Sequence, residues 1–431
     1  MSDIALQKVF IRSLLYVFGF ATIFYPILTQ FAQPFILASM LGITILVAYG
    51  TLALKRPLPV TSLYYGLFVL VFVYFCWAGI AFYYGNNPLY VFQDSFGFLF
   101  YLFSPVLFLF IKFFDLKGVF FRGLFYLCTF ISLLSLGIII TYHAKYGPVE
   151  HEPLLQINQL IKSFGLNWAI GHNMGFIGVY TWAGHFLLLG IGLAYYRYFL
   201  SRRSSYLYLI FLYSFGVLAD GHRGLLASLF FLVFLLIPLL RKTFAMKKLL
   251  VHSLLFLVLT ILFLIFNFTW ISDRFNFSDS DPSTLQRFLQ VPALIDKIFD
   301  RPFLGSGFGS FASIIRNSER PFLYEVDFLA TIMKLGVIGT LLYFGSYFCI
   351  LNVARRRGHP LGYIFFCVGS SFFLYMGTNG GTAMSPDTSI FHMFLFIAIA
   401  ISEAIFQRGI PGSNQTTQNS EVTVHRPARN G

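Results

Sequence analysis

The chain has 431 residues, of which 57% are hydrophobic and only 11% charged, with a net charge of +13. Soluble domains carry roughly 25% charged residues, so this composition excludes a water-soluble globular protein and implies a polytopic membrane protein. The basic residues come in short clusters between apolar runs and not along one face, which makes the charge a topology signal and gives no reason to expect a nucleic-acid partner.

Twelve apolar runs follow one another, near 13–32, 34–54, 60–83, 94–112, 118–141, 173–195, 204–220, 224–240, 249–270, 326–350, 360–377 and 387–407. Each is about 17 to 25 residues, the length a helix needs to cross a hydrocarbon core of ~30 Å. No small-residue cleavage site follows the first run, so it is expected to be a retained helix and not a signal peptide. Cys76, Cys128, Cys349 and Cys367 all lie inside apolar runs, and no disulfide framework is expected.

With the N-terminus inside, twenty of the thirty basic residues fall in cytoplasmic connections, among them Lys8, Arg12, Lys117, Arg122, Arg202 and Arg355. The longer connections then lie outside, and both termini are cytoplasmic. The first long outer loop, about 142–172, carries apolar residues from Leu154 to Phe164 at helical spacing and reads as a short helix on the membrane surface. The second, about 271–325, holds a polar turn, then a helix that opens at Pro282 behind Asp281, carries Arg287 and is expected to kink or restart at Pro292. The expected architecture is an all-α polytopic membrane protein: about twelve transmembrane helices in one integral domain over 1–408, two large outer loops, and a disordered tail at 409–431 rich in Asn, Gln, Thr and Ser.

Five places in this frame carry polar chemistry. Arg223 sits in a connection of almost no length (Asp220-Gly221-His222-Arg223-Gly224), where an arginine is costly unless it is paired with an outer carboxylate such as Asp220 or clamps an anion. Arg287 is a solvated arginine on an amphipathic helix or a second anion contact. Gly305, Gly307 and Gly309 form a G-x-G-x-G turn without the lysine or strand-turn-helix context of a nucleotide loop; it allows close approach of another helix or of a pyrophosphate. Glu325 and Asp327 open the tenth run, as helix-end carboxylates or as a general base, and being two apart they do not share a helix face. Lys334, inside that run, must snorkel or pair inward. His143, His151, His172 and His185 lack metal-ligand spacing, and no metal site is expected.

Three segments, DGHRGLLASL at 220–229, Arg287 followed by DRPFLGSGFGSF at 300–311, and EVDFL at 325–329 with KLGVIG at 334–339, resemble the O-antigen ligase and O-antigen polymerase superfamily, bacterial inner-membrane glycosyltransferases that use lipid-linked donors. The resemblance implies functional roles for Arg223, Arg287 and Glu325. The ligase branch has a histidine eleven residues before the first glycine of the pair Gly336 and Gly339; here that position is Glu325, with a second acid at Asp327, which resembles the polymerase branch. It further implies a periplasmic active site acting on undecaprenyl-pyrophosphate-linked glycan as donor and acceptor, inverting transfer with no metal or cofactor, and a chain-length regulator as a candidate partner. Arg223, Arg287, Gly305, Gly307 and Lys334 would contact substrate, and Glu325 or Asp327 would be the base. The alternative within the resemblance is a ligase that passes glycan to lipid A core or to protein.

Overall fold

The structure is a computed structural model that describes residues 3–23, 29–52, 63–146, 156–159, 169–173, 176–180, 183–220, 222–243, 282–315, 318, 321–324, 326–356, 360–378 and 385–408. Its helices are α1 (Asp3–Ile23), α2 (Thr29–Leu52), α3 (Leu63–Tyr83), α4 (Pro88–Ser95), α5 (Phe98–Phe113), α6 (Lys117–Tyr146), α7 (Phe186–Ser201), α8 (Ser205–Asp220), α9 (Arg223–Thr243), α10 (Pro282–Asp300), α11 (Asp327–Arg356), α12 (Pro360–Thr378) and α13 (Pro386–Arg408). Between α6 and α7 lies an antiparallel hairpin, β1 (Ala169–Asn173) and β2 (Phe176–Tyr180), in register Ala169 to Tyr180.

Four helical stretches are long and apolar enough to cross a membrane by length and composition: Ala32–Leu52, Tyr64–Tyr83, Lys117–Tyr142 and Asp327–Arg356; α4 and α5, bent by 44°, would make a fifth. Several shorter apolar helices stand beside them. Large apolar side chains point outward, Phe68 at 72% and Leu341 at 68% exposure, where water would penalise them and lipid would not. The chain is a helical polytopic membrane protein.

Local chemistry explains where the boundaries depart from the sequence reading. The first two runs were expected at 13–32 and 34–54, but α1 ends at Ile23 and α2 starts at Thr29 and passes through Pro34, its sixth residue. Proline early in a helix removes a single intrahelical bond, which packing tolerates. The sixth run was expected from 173, yet β2 occupies 176–180 and the helix begins only at Phe186. This hairpin also qualifies the all-α expectation. Pro292 was expected to kink or restart its helix; α10 continues through it, from Pro282, where it was expected to open, to Asp300. Of the surface helix expected at 154–164, residues 156–159 are helical. The ninth run at 249–270, Glu325 and the tail at 409–431 lie outside the described residues.

The largest departure is in α11. Gly336 has φ 63° and ψ −177°, a conformation open to glycine and strained for other residues. Phe328 and Phe344 are sixteen positions apart, about 24 Å along a straight helix, yet their rings meet at 5.4 Å and both meet Phe373 of α12 at 5.2 Å. The helix therefore folds back on itself at Gly336. Residues 327–335 form a half-helix beside residues 337–356, and only the latter, about 30 Å long, can cross the bilayer. Asp327 is thereby placed roughly two turns below the break, and Lys334 at the break itself.

Candidate functional site

The break in α11 leaves the last carbonyls of the half-helix and the first amides of the following helix without intrahelical partners, as at any helix end. The glycine-rich turn supplies what they need. Ser306 and Gly307 N–H donate to the Met333 and Lys334 carbonyls at 2.8 and 2.9 Å, while Val337 and Ile338 N–H donate to the Pro302 and Phe303 carbonyls at 2.9 and 3.2 Å. Gly305, Gly307 and Gly309 all have positive φ, and a Cβ on Gly305 would collide with Gly336 N and the Lys334 carbonyl. On its other side the turn is held by α3 and the segment after it. Trp77 Nε1 donates to the Leu304 carbonyl at 2.7 Å, and Asn86 Nδ2 to the Ser306 and Phe308 carbonyls at 2.8 and 2.9 Å. The Arg301 guanidinium lies 3.4 Å above the Tyr84 ring.

A buried ion pair completes this clamp. Lys334 Nζ donates to Asp94 Oδ1 at 2.7 Å with both side chains at 0–1% exposure, and Gly309 N–H donates to Asp94 Oδ2 at 2.8 Å. Lys334 thus pairs inward, as one of the two sequence readings required. The Gly305, Gly307 and Gly309 amides are spent on Arg301, Lys334 and Asp94 respectively. Gly305, Gly307 and Lys334 were expected to contact substrate; here their polar groups hold the protein together, because the broken helix needs them. Nearby, Ala312 N–H donates to Tyr324 Oη; burial, seconded by the Asp94 charge, pushes this phenol up to about 12 against that hydrogen bond, so it stays neutral.

Asp327 opens the half-helix at 1% exposure, within electrostatic reach of the Tyr343 hydroxyl. From Tyr343 a line of polar groups runs through the core of the bundle. Tyr343 Oη and Tyr101 Oη are 3.0 Å apart, and Tyr101 Oη is 2.5 Å from His392 Nδ1. His392 is 1% exposed, and its Nε2 has no hydrogen-bonding partner among the described residues. His392 packs against Phe372, which with Tyr375 packs against His185.

Arg223 begins α9; its side chain is outside the described residues. Its neighbours define the corner: the Asp220 carboxylate, 1% exposed, pairs with His222 Nδ1 and lies against Gly184, which leaves no room for a Cβ. The His222 ring meets Tyr375 edge-on at 6.4 Å. Phe328, next to Asp327, meets Phe373 of α12, whereas the corner meets Tyr375, two residues further on and so on a different face of that helix. Arg287 is half-buried on α10, whose Leu294 packs against Ala330 and Met333 of the half-helix. Arg287 is thus two turns before the contact that braces Asp327.

Sequence reasoning missed Asp94, Tyr101, Tyr343 and His392. Asp94 left a usable trace, being a lone carboxylate at the head of an apolar run, and such a group needs a partner as much as Lys334 does. The other three are aromatic or apolar-flanked residues in a chain that is 20% aromatic, with no spacing to set them apart.

Fold and site together define a helical membrane protein with a folded-back half-helix and buried polar groups around α12. No protein-family model matches the chain, and no curated protein matches it either.

Proposed function

We propose that the protein is an integral-membrane glycosyltransferase of twelve crossings that polymerises undecaprenyl-pyrophosphate-linked repeat units on the periplasmic face of a bacterial inner membrane. The observation that supports it is the placement of Asp327: a carboxylate carried into the bundle by a half-helix and buried there at 1% exposure. An acceptor hydroxyl attacks the anomeric carbon of the donor; the bond from that carbon to the pyrophosphate oxygen breaks, and undecaprenyl pyrophosphate leaves with the electron pair. Asp327 or its neighbour Glu325 takes the hydroxyl proton. Arg223 and Arg287 offset the charge that grows on the leaving group. One displacement inverts the anomeric centre. The clamp of Gly305, Gly307 and Lys334 acts at one remove, by fixing the half-helix.

The test is reconstitution of the purified chain in proteoliposomes with lipid-linked repeat units and no other acceptor. A ladder of products is expected; product that appears only after lipid A core or a protein acceptor is added would move the protein to the ligase reading.

The broken helix favours a second reading, a transporter of the same lipid-linked sugar, since transporters place ionisable groups on discontinuous helices. Against it, the N-terminus of the half-helix, the positive end that would receive an anionic substrate group, carries its own carboxylate in Asp327. Movement of labelled lipid-linked sugar across the bilayer with no ladder would establish transport.

A further inference from the structure

The proposed reaction makes no use of a groove on another side of the bundle. It has a volume of about 280 Å³ and lies between α1, α6 and α13, with Leu15, Tyr16, Gly19, Phe120, Gly123 and Phe394 among its lining. Leu14 of α1 lies against Gly42 of the following α2, and Gly50 near the end of α2 lies against Phe113 at the end of α5, so α6, which starts four residues later at Lys117, begins at the same end of the bundle as α1. The Tyr16 ring is 3.5 Å from the position of a Cβ on Gly123, and the two helices run parallel along the groove. Gly19 opens onto the empty space, because a Cβ there would meet nothing within 4 Å.

One end of this groove is basic. On α1, Arg12 lies one turn before Tyr16 and Lys8 one turn before that, both exposed. On α6, Lys117 is at the first residue, and the exposed Arg122 donates from Nε to the Gly118 carbonyl at 3.1 Å, which turns its guanidinium back towards Lys117. Asp115, 3.9 Å from Lys117 and 87% exposed, is a weak counter-charge in that setting.

We propose that the groove is a binding site for an anionic two-chain glycerophospholipid, with one acyl chain in the groove and the phosphate received by Arg12, Lys117 and Arg122. The walls are apolar and continuous with side chains exposed to the bilayer, such as Tyr126 and Phe130, so a hydrocarbon chain fits where a sugar or nucleotide would lose its hydrogen bonds to water. The basic end sets the headgroup. Clustered arginines and lysines at a helix end attract anionic lipid, and guanidinium matches phosphate oxygens. A zwitterionic lipid fills the groove equally well but gains little at that end.

The experiment offers phosphatidylglycerol and phosphatidylcholine of equal chain length to the full chain in neutral detergent and counts retained lipid by native mass spectrometry. Phosphatidylglycerol is expected to be retained about tenfold over phosphatidylcholine. Arg12→Gln and Arg122→Gln should each cut that preference about fivefold. Gly19→Leu, which fills empty space, should lower retention of both lipids at an unchanged melting temperature. Equal retention of the two lipids by the unsubstituted chain overturns the proposal. So does Gly19→Leu protein that keeps phosphatidylglycerol undiminished, or a polyprenyl phosphate that phosphatidylglycerol does not displace. Should Gly19→Leu melt lower, the two exposed arginines decide the matter alone.

Discussion

Two regions of the molecule bury polar groups almost completely, and they do so in different ways. In the clamp around Gly336, the carbonyls of Met333 and Lys334, the amides of Val337 and Ile338 and both carboxylate oxygens of Asp94 each have a named partner at 2.7–3.2 Å. In the line from Tyr343 through Tyr101 to His392, which starts within electrostatic reach of Asp327, the hydroxyls are linked to one another, but the line ends on an imidazole nitrogen without a partner among the described residues. A network that spends its backbone amides, carbonyls and ion pair on itself has little left for a ligand, the buried Ser306 hydroxyl being without a partner among the described residues, and is best understood as structure. A network that ends on an open group costs stability, and such costs concentrate where chemistry is done. The comparison moves the functional weight of the 301–336 region away from its glycines and lysine and onto Asp327, which they position.

Substitutions that break the clamp should be the most damaging. Gly305→Ala adds a Cβ that meets backbone on the half-helix and also imposes a positive φ on alanine, itself worth roughly 1–2 kcal/mol. It should cost several kcal/mol, read as a large fall in melting temperature or as loss of monodisperse protein in detergent. Lys334→Met leaves the Asp94 carboxylate buried without its cation and should cost about 3–5 kcal/mol. Adding Asp94→Asn should restore much of that loss, because an amide carbonyl still accepts from Gly309 N–H and no charge remains; a double-mutant cycle on melting temperatures checks the coupling. A double variant no better than Lys334→Met alone would mean that the ion pair is not what joins the two elements.

In the second region the effects on stability should be smaller. Tyr101→Phe removes the hydroxyl that touches both Tyr343 and His392 and should cost about 1–2 kcal/mol. If it costs as much as Lys334→Met, the two regions do not differ in kind and the distinction drawn between them fails.

Much of the frame was legible in the sequence because a helix that crosses a bilayer must be long and apolar; α3 and α6 answer to that demand, and α9, α12 and α13, whose apolar stretches are shorter, still begin and end within a few residues of the expected bounds. The fold-back at Gly336 was not legible. A half-helix and the span after it are both apolar, and joined by one glycine they read as one run; only a contact such as that of Phe328 with Phe344 separates them. Lys334 was recognisable as a group in need of a partner. Its partner, Asp94, lies 240 positions away, and hydropathy carries no information about which distant residues meet. The hairpin at 169–180 was hidden because its Ile, Val and Tyr residues also suit an apolar helix. The glycines were flagged correctly as a place of close approach, but whether a helix or a pyrophosphate approached depended on where the backbone N–H groups point, which spacing does not encode.

The central claim is that the clamp holds Asp327 in place while Asp327 itself works. Asp327→Asn, measured for melting temperature and for ladder formation from lipid-linked repeat units in proteoliposomes, tests it most directly. The account predicts a melting temperature within a few degrees of the unsubstituted protein together with a fall in turnover of about 10²–10⁴-fold, the usual loss when a general base is removed. Full-length ladders formed at an undiminished rate would contradict it, and so would a collapse of stability as large as that of Lys334→Met.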